Sequence, residues 1–168
     1  FSSVNAEEVR EKLCLEPHPE GGWFRRTYQS EECLYLERGT RCAGTSIYYL
    51  LSGEEYSVLH RLKNDEILYY HAGCGLTVHL FGGSGYEKRR LGPGIFQGEE
   101  PQMTIAAGTT FGAEPSNQSA WCLISCSVCP GFEVEDFDWG DTSDLMQRFP
   151  EQRALFRRLS KQEPHENS

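Results

Sequence analysis

A chain of 168 residues, 38% hydrophobic and 24% charged, is sized for one folded domain with its own core. Its formal net charge of −9 argues against nucleic acid as a partner, because phosphate contacts need clustered Lys and Arg. No apolar run approaches the ~20 residues of a membrane span, and no basic start followed by an apolar stretch marks a secretory signal.

Asn5-Ala-Glu-Glu8 has the form of a capping box, with Asn5 as N-cap and Glu8 three residues on. It predicts a short helix with Val9 and Leu13 on one face, ending before Pro17. Pro17-His-Pro-Glu-Gly-Gly22 can be neither helix nor central strand. It predicts a constrained turn, which His18 caps or carries to a dimer edge. Trp23 to Tyr28 then alternates as a strand.

From Thr45 onward, apolar runs recur between turn signals. The predicted strands are Thr45 to Leu51, Tyr56 to Leu62, Glu66 to His71, Leu76 to Phe81 and Tyr86 to Leu91. Gln102 to Ala106, Thr109 to Ala113 and Ala120 to Val128 complete the set. Short strands at this spacing mean a sandwich or barrel. Gly82-Gly-Ser-Gly85 joins two of them and opens no helix, so it reads as a hairpin loop and not a phosphate loop. Phe132 to Trp139 reads as an edge strand or loop. Ser143 as N-cap predicts a helical turn through Phe149, and Pro150 starts another whose apolar face is Leu155, Phe156 and Leu159. The basic stretch from Arg153 to Lys161 is a solvated helix face, and the tail from Gln162 looks disordered.

Seven cysteines are scattered along the chain, most among apolar neighbours. Free buried thiols in a reducing compartment fit this, and the expected location is cytoplasmic. Cys126-Ser-Val-Cys129 has the CxxC form but follows the strand-like run Ala120 to Ser125, where a redox motif would open a helix. The chain begins at Phe1 without Met, as processing or trimming leaves it, and a targeting peptide before Phe1 stays open.

The stretch from Gly53 to Gly73 carries the chemistry. His60 and Glu66 flank the polar turn Lys63-Asn64-Asp65, which reads as a hairpin delivering an imidazole and a carboxylate to one side of a β structure. A carboxylate beside an imidazole raises its pKa and fixes its tautomer, so His60 can take a proton from carbon next to a carbonyl.

Gly53, His60, Glu66 and Gly73 resemble the first cupin motif, with one extra residue before His60. Ala106-Ala-Gly108 to Phe111 stands where the second motif belongs. Pro17-His-Pro-Glu-Gly-Gly22, Phe24 to Tyr28, Ile47 to Leu51, Ser57-x-x-His60-Arg61 and Asp65-Glu-Ile67 with Tyr70-His71-x-Gly73 extend the likeness. Gly98-Glu99 with Pro101-Gln102, then Cys126 to Phe132 and Asp136-Phe137, close it.

Together these resemble the DUF985, or cupin-5, family. The resemblance implies a mainly β fold over residues 1–161, a double-stranded β-helix jelly roll with short terminal helices, and a homodimer. It implies little about activity.

Metal-binding cupins offer three histidines and a glutamate. The matching positions here are His60, Leu62, Glu66 and Phe111, so two ligand positions lack a donor. The expectation is no metal, unless His71 or His79 turns inward. Strand alternation from Glu66 puts Leu68 and Tyr70 inside and His71 outside, and His79 reads as a satisfied sheet residue.

By analogy with metal-free sugar epimerases of that superfamily, His60 and Glu66 are the candidate base pair. Tyr70 is the acid, with Tyr48 and Tyr49 as alternatives. Arg25 or Arg61 would hold a substrate carboxylate or phosphate. The candidate substrate-binding set is Arg25, Tyr48, Arg61, Gln102, Phe111 and Trp121. The leading expectation is a metal-independent isomerase or epimerase of a sugar-like or polar carbonyl compound. A non-catalytic small-molecule binder is the alternative, and a metal-dependent enzyme comes third. A structural role would follow if Leu62, Leu68, Phe111 and Trp121 filled the interior.

Overall fold

Side chains that alternate along short strands need a covered face, and here two antiparallel sheets cover each other. The computed structural model describes residues 3–160; the expected tail from Gln162 lies outside the described residues. The chain runs α1 (Ala6–Leu13), β1 (Glu16–Pro17), β2 (Trp23–Gln29), β3 (Cys33–Leu36), β4 (Gly39–Cys42), β5 (Thr45–Ser52), β6 (Ser57–Leu62) and β7 (Asp65–Gly73). It continues with β8 (Leu76–Gly82), β9 (Gly85–Leu91), β10 (Gln102–Ile105), β11 (Thr110–Pro115), β12 (Trp121–Cys129), β13 (Phe137–Trp139), α2 (Thr142–Arg148) and α3 (Arg153–Leu159). One sheet has the order β1-β2-β5-β12-β7-β10 and the other β13-β6-β11-β8-β9, a jelly-roll arrangement. No helix among the described residues is long and apolar enough to cross a membrane.

Gly53 to Gly73 is not a hairpin. β6 lies in the five-stranded sheet and β7 in the six-stranded one. Lys63-Asn64 carries the chain between sheets, and buried Asn64 fixes the crossing. Its amide donates to the Pro130 and Gly131 carbonyls, and its oxygen accepts from Arg38. His60 and Glu66 therefore come from facing sheets. The hairpin at Gly82 to Gly85 forms as expected. The β3–β4 ribbon was not anticipated; its strands are largely exposed and carry no buried alternation.

The inner faces meet in one core that includes Leu51, Leu68, Leu76, Val78, Phe111 and Ile124. The outer faces are covered by helices. Asn5 and Glu8 form the capping box that starts α1, and Val9 packs with Leu50 and Trp121 on the outer side of the six-stranded sheet. The N-cap of α2 is Asp141, not Ser143; its carboxylate accepts from the Ser143 and Asp144 N–H groups. Leu145 of α2 and Leu155, Phe156 and Leu159 of α3 close over Leu59 and Phe81. Gly112 permits that approach, because a Cβ there would lie 3.0 Å from the Ser57 carbonyl oxygen and 3.3 Å from Leu159.

The seven cysteines are free, but only Cys122 and Cys126 are buried; Cys14, Cys33 and Cys129 are exposed. Cys126 points into the core because β12 alternates, and Cys129 is exposed at the strand end.

Candidate functional site

The inner faces do not fill the barrel completely. A cavity of about 410 Å³ remains, walled mainly by apolar side chains including Phe24, Ile47, Leu62, Leu68, Phe111 and Ile124. Phe132, Val134, Phe137 and Trp139, from the segment after β12, line it as well. Its ionisable side chains are His18, Glu20, Arg26, Tyr49, His60, Glu66 and Cys126.

His60 reaches the cavity through an irregularity in β6. Phe111 pairs with His60 and Ala113 with Ser57, so one intervening residue on β11 faces two on β6. Such a bulge reverses strand parity. It lets Ser57 and His60, three apart, both line the cavity. The imidazole lies 4.3 Å from the Phe111 ring centre and stacks on Phe137 at 5.5 Å. Its Nδ1 is 2.7 Å from the Val58 carbonyl oxygen. A carbonyl only accepts, so Nδ1 carries the hydrogen and Nε2 presents its lone pair inward.

The group facing that lone pair is Glu20, whose Oε2 is 3.2 Å from His60 Nε2. Glu20 comes from the rigid turn after β1. His18 N–H donates to the Gly22 carbonyl, Gly21 N–H to the His18 carbonyl, and Val58 N–H to the Glu20 carbonyl. Gly21 has φ 109°, and a Cβ there would meet the Tyr56 carbonyl oxygen at 2.0 Å, so only glycine fits. His18 caps the turn, its Nδ1 accepting from Glu20 N–H at 3.0 Å, and its ring packs edge-on to Phe24 and Tyr49.

Burial sets the protonation of this cluster. Taken out of water, the Glu20 carboxyl is pushed up to about 8, with the Ser57 hydroxyl opposing. Burial raises Glu66 to about 7; His60 and the Cys126 thiol oppose that rise and Glu20 adds to it. Burial lowers His60, against the pull of Glu66 and the Val58 carbonyl, and lowers His18 to about 4. At neutral pH the proton between Glu20 and His60 therefore resides on the carboxyl. Glu66 Oε2 is buried without a hydrogen-bond partner among the described residues. A bare buried carboxylate oxygen is costly, and such a group calls for an explanation such as a catalytic role.

Of the candidate site residues named from the sequence, His60, Glu66, Phe111 and Tyr49 line this cavity, the Tyr49 hydroxyl donating to the Gly21 carbonyl. Tyr70, Tyr48, Trp121, Arg25, Arg61 and Gln102 are not among its lining residues. The Tyr70 hydroxyl donates to the Gly73 carbonyl, and Tyr70 lines a separate surface pocket with His71 and Trp121. The Trp121 indole donates to the Val4 carbonyl beneath α1. Arg25 donates to the Leu13 carbonyl and lies over the Tyr48 ring on the outer face. Arg61 is exposed and pairs with Asp138, and Gln102 is exposed on edge strand β10.

His71 bonds the Ser125 hydroxyl outside the barrel, the direction that alternation from Glu66 gives it. Sequence reasoning passed over Glu20 and read His18 as a turn cap or dimer-edge residue; the cap is found, and His18 lines the cavity as well. The signal available was an ionisable pair held between two prolines and two glycines.

The donor set does not suit a metal. Leu62 and Phe111 offer no ligand atom, and no three His, Cys, Asp or Glu side chains among the described residues are arranged to hold one.

A family model described as the cupin superfamily (DUF985) matches residues 7–140. Among solved structures, a protein of Shewanella oneidensis is 35% identical, covers 95% of this chain and 99% of its own, and superposes with a TM-score of 0.86. A hypothetical protein from Leishmania major is 32% identical over 95% of this chain and all of its own length (100%), with a TM-score of 0.85. An oxalate decarboxylase variant of Bacillus subtilis is 12% identical over 89% of this chain and 38% of that one, with a TM-score of 0.53, a likeness of fold alone. No curated protein sequence matches the chain.

Proposed function

We propose, for a chain that belongs to the DUF985 family of the cupin superfamily, that the barrel cavity binds a small carbonyl compound and moves a proton at the adjacent carbon. The observation that carries this reading is the convergence of His60 Nε2, the Glu20 carboxyl and the unpartnered Glu66 Oε2 in one largely apolar cavity. General acid–base catalysis needs one group that holds a proton and one that lacks it, both near the working pH. Burial with different neighbours provides such a pair.

In the proposed step the Glu20 carboxyl, steadied by His60, gives its proton to the substrate carbonyl oxygen. Glu66 Oε2 takes the proton from the α-carbon. The C–H electron pair becomes the carbon–carbon double bond of an enol, and the carbonyl π pair becomes the O–H bond. Returning the proton to the opposite face or to the next carbon completes an epimerisation or isomerisation. The acid is Glu20 and not Tyr70, because the Tyr70 hydroxyl is committed to Gly73 outside the cavity.

The test is solvent deuterium exchange into the α-position of a ketone, followed by proton NMR. Wild-type protein is expected to accelerate exchange, and Glu66→Gln to slow it about 10²–10⁴-fold. Ketone binding with no exchange above buffer would leave the cavity as that of a non-catalytic binding protein.

A further inference from the structure

The shape of the polar groups inside the cavity narrows what can enter it. Glu20, Ser57 and His60 form one connected group, with the Ser57 hydroxyl donating to Glu20 Oε2 at 3.4 Å. Glu66 and Cys126 lie beside it. Among the other polar lining groups, His18 Nδ1 accepts from Glu20 N–H, and two hydroxyls have protein partners. The Tyr49 hydroxyl donates to the Gly21 carbonyl at 2.5 Å, and the Thr45 hydroxyl accepts from Phe132 N–H. The remaining walls are aliphatic and aromatic.

A sugar carries a hydroxyl on nearly every carbon. Each hydroxyl taken from water without a new partner loses hydrogen bonds that burial does not return, and binding weakens. This cavity could satisfy one or two of them. An anionic group fares no better. Among the described residues lining the cavity, Arg26 is the one permanent cation, and it is exposed and donates to Gln29. The interior groups that could carry charge at neutral pH are acidic.

We infer that the natural ligand is an uncharged, largely apolar molecule with a single carbonyl head, such as a cyclic or aromatic ketone or enone, and is not a sugar or sugar phosphate. Its carbonyl oxygen sits at the Glu20–His60–Glu66 group and its body lies among Phe24, Ile47, Leu68, Phe111 and Ile124. A volume of about 410 Å³ lies toward the small end of the ~300–1,000 Å³ typical of ligand pockets and suits a compact one- or two-ring body. The inference concerns the same cavity as the proton-transfer reading and rests on that cavity being the site, though not on any catalysis there.

The experiment is isothermal titration of the full chain with 2-tetralone, 4-phenyl-2-butanone and glucose 6-phosphate. The infrared carbonyl stretch of bound 2-tetralone is recorded alongside. Saturable binding of at least one ketone, at least tenfold tighter than glucose 6-phosphate, is expected, with the stretch moved to lower wavenumber by the carboxyl donor. Glu20→Gln should reduce that shift. Ile47→Phe and Ala113→Leu, which fill the cavity from two walls, should each weaken ketone binding at least tenfold in whichever of them folds.

Binding of neither ketone, or tighter binding of glucose 6-phosphate, overturns the inference. So does ketone binding indifferent to both cavity-filling variants. Ketone binding without deuterium exchange defeats the proton-transfer reading alone, whereas exchange into a bound sugar phosphate defeats the ligand class alone.

Discussion

Among the described residues, two histidine–glutamate pairs stand at nearly the same separation and face different surroundings. His60 Nε2 lies 3.2 Å from Glu20 Oε2 inside the barrel; His79 Nε2 lies 3.1 Å from Glu114 Oε1 on the outer side of the five-stranded sheet. Glu114 also receives both ends of the Arg158 guanidinium from α3, at 2.8 and 3.0 Å, and His79 Nδ1 is 2.8 Å from the Tyr86 hydroxyl. With Arg158 and His79 bonding it, the Glu114 carboxyl is held below its ordinary value against the cost of burial. Among the described residues Glu20 has no arginine partner, and burial prevails. The pair alone does not decide reactivity; the neighbouring cation does. One site is satisfied and ties a helix to a sheet, whereas the other keeps a proton near neutrality and leaves Glu66 Oε2 open.

The largest expected difference between the sites is catalytic. Glu20→Gln is predicted to slow ketone α-exchange by about 10²–10⁴-fold, while Glu114→Gln leaves it within twofold, both read by proton NMR. Equal losses would dissolve the distinction. The next effect is on stability and belongs to the outer site. Phe156 is fully buried between α3 and the sheet, so Phe156→Ala is expected to cost about 3–5 kcal/mol in urea unfolding. Arg158→Ala, which leaves Glu114 without its cation, should cost about 1 kcal/mol and raise the Glu114 pKa.

Acidity sharpens the contrast in sign. The folded pKa values of Glu20 and Glu66, about 8 and about 7, stand above their ordinary value, so the folded state binds more protons than the unfolded chain. Their contribution is complete below the unfolded carboxylate pKa and is lost as pH rises through about 7 to 8. Glu114 and Asp136, the latter held by Arg41 and Arg38, are shifted down. Their contribution is present above the unfolded pKa and is lost as pH falls through the folded one. The predicted result is that Glu66→Gln is less sensitive than wild type to a rise from pH 6.5 to 8.5 in urea unfolding. Arg41→Ala should instead flatten the loss of stability on the acid side.

These contrasts also show what the sequence could reveal. The jelly roll was legible because alternation and glycine turns recur along the chain, and because the run from Pro17 to Phe137 resembles one family over most of its length. His60, Glu66 and Phe111 were legible because they occupy motif positions on regular strands. Glu20 was not, since its link to His60 spans 40 positions and depends on how a proline–glycine turn docks on Tyr56 and Val58. The Lys63-Asn64 crossing resembled a hairpin turn because local residues do not state which sheet the next strand joins. Tyr70 fell on the expected face of β7, yet at the far end of the strand, and alternation carries no information about position along the barrel.

The central claim is that two carboxyl groups in the barrel titrate near neutral pH because they are buried without a cation. Carbon-13 NMR titration of the glutamate side-chain carboxyls, assigned with Glu20→Gln and Glu66→Gln, tests it most directly. Midpoints near 8 for Glu20 and near 7 for Glu66, with Glu114 below its ordinary value, are the predicted result. Titration of Glu20 and Glu66 in the ordinary carboxylate range, alongside Glu114, would contradict the account.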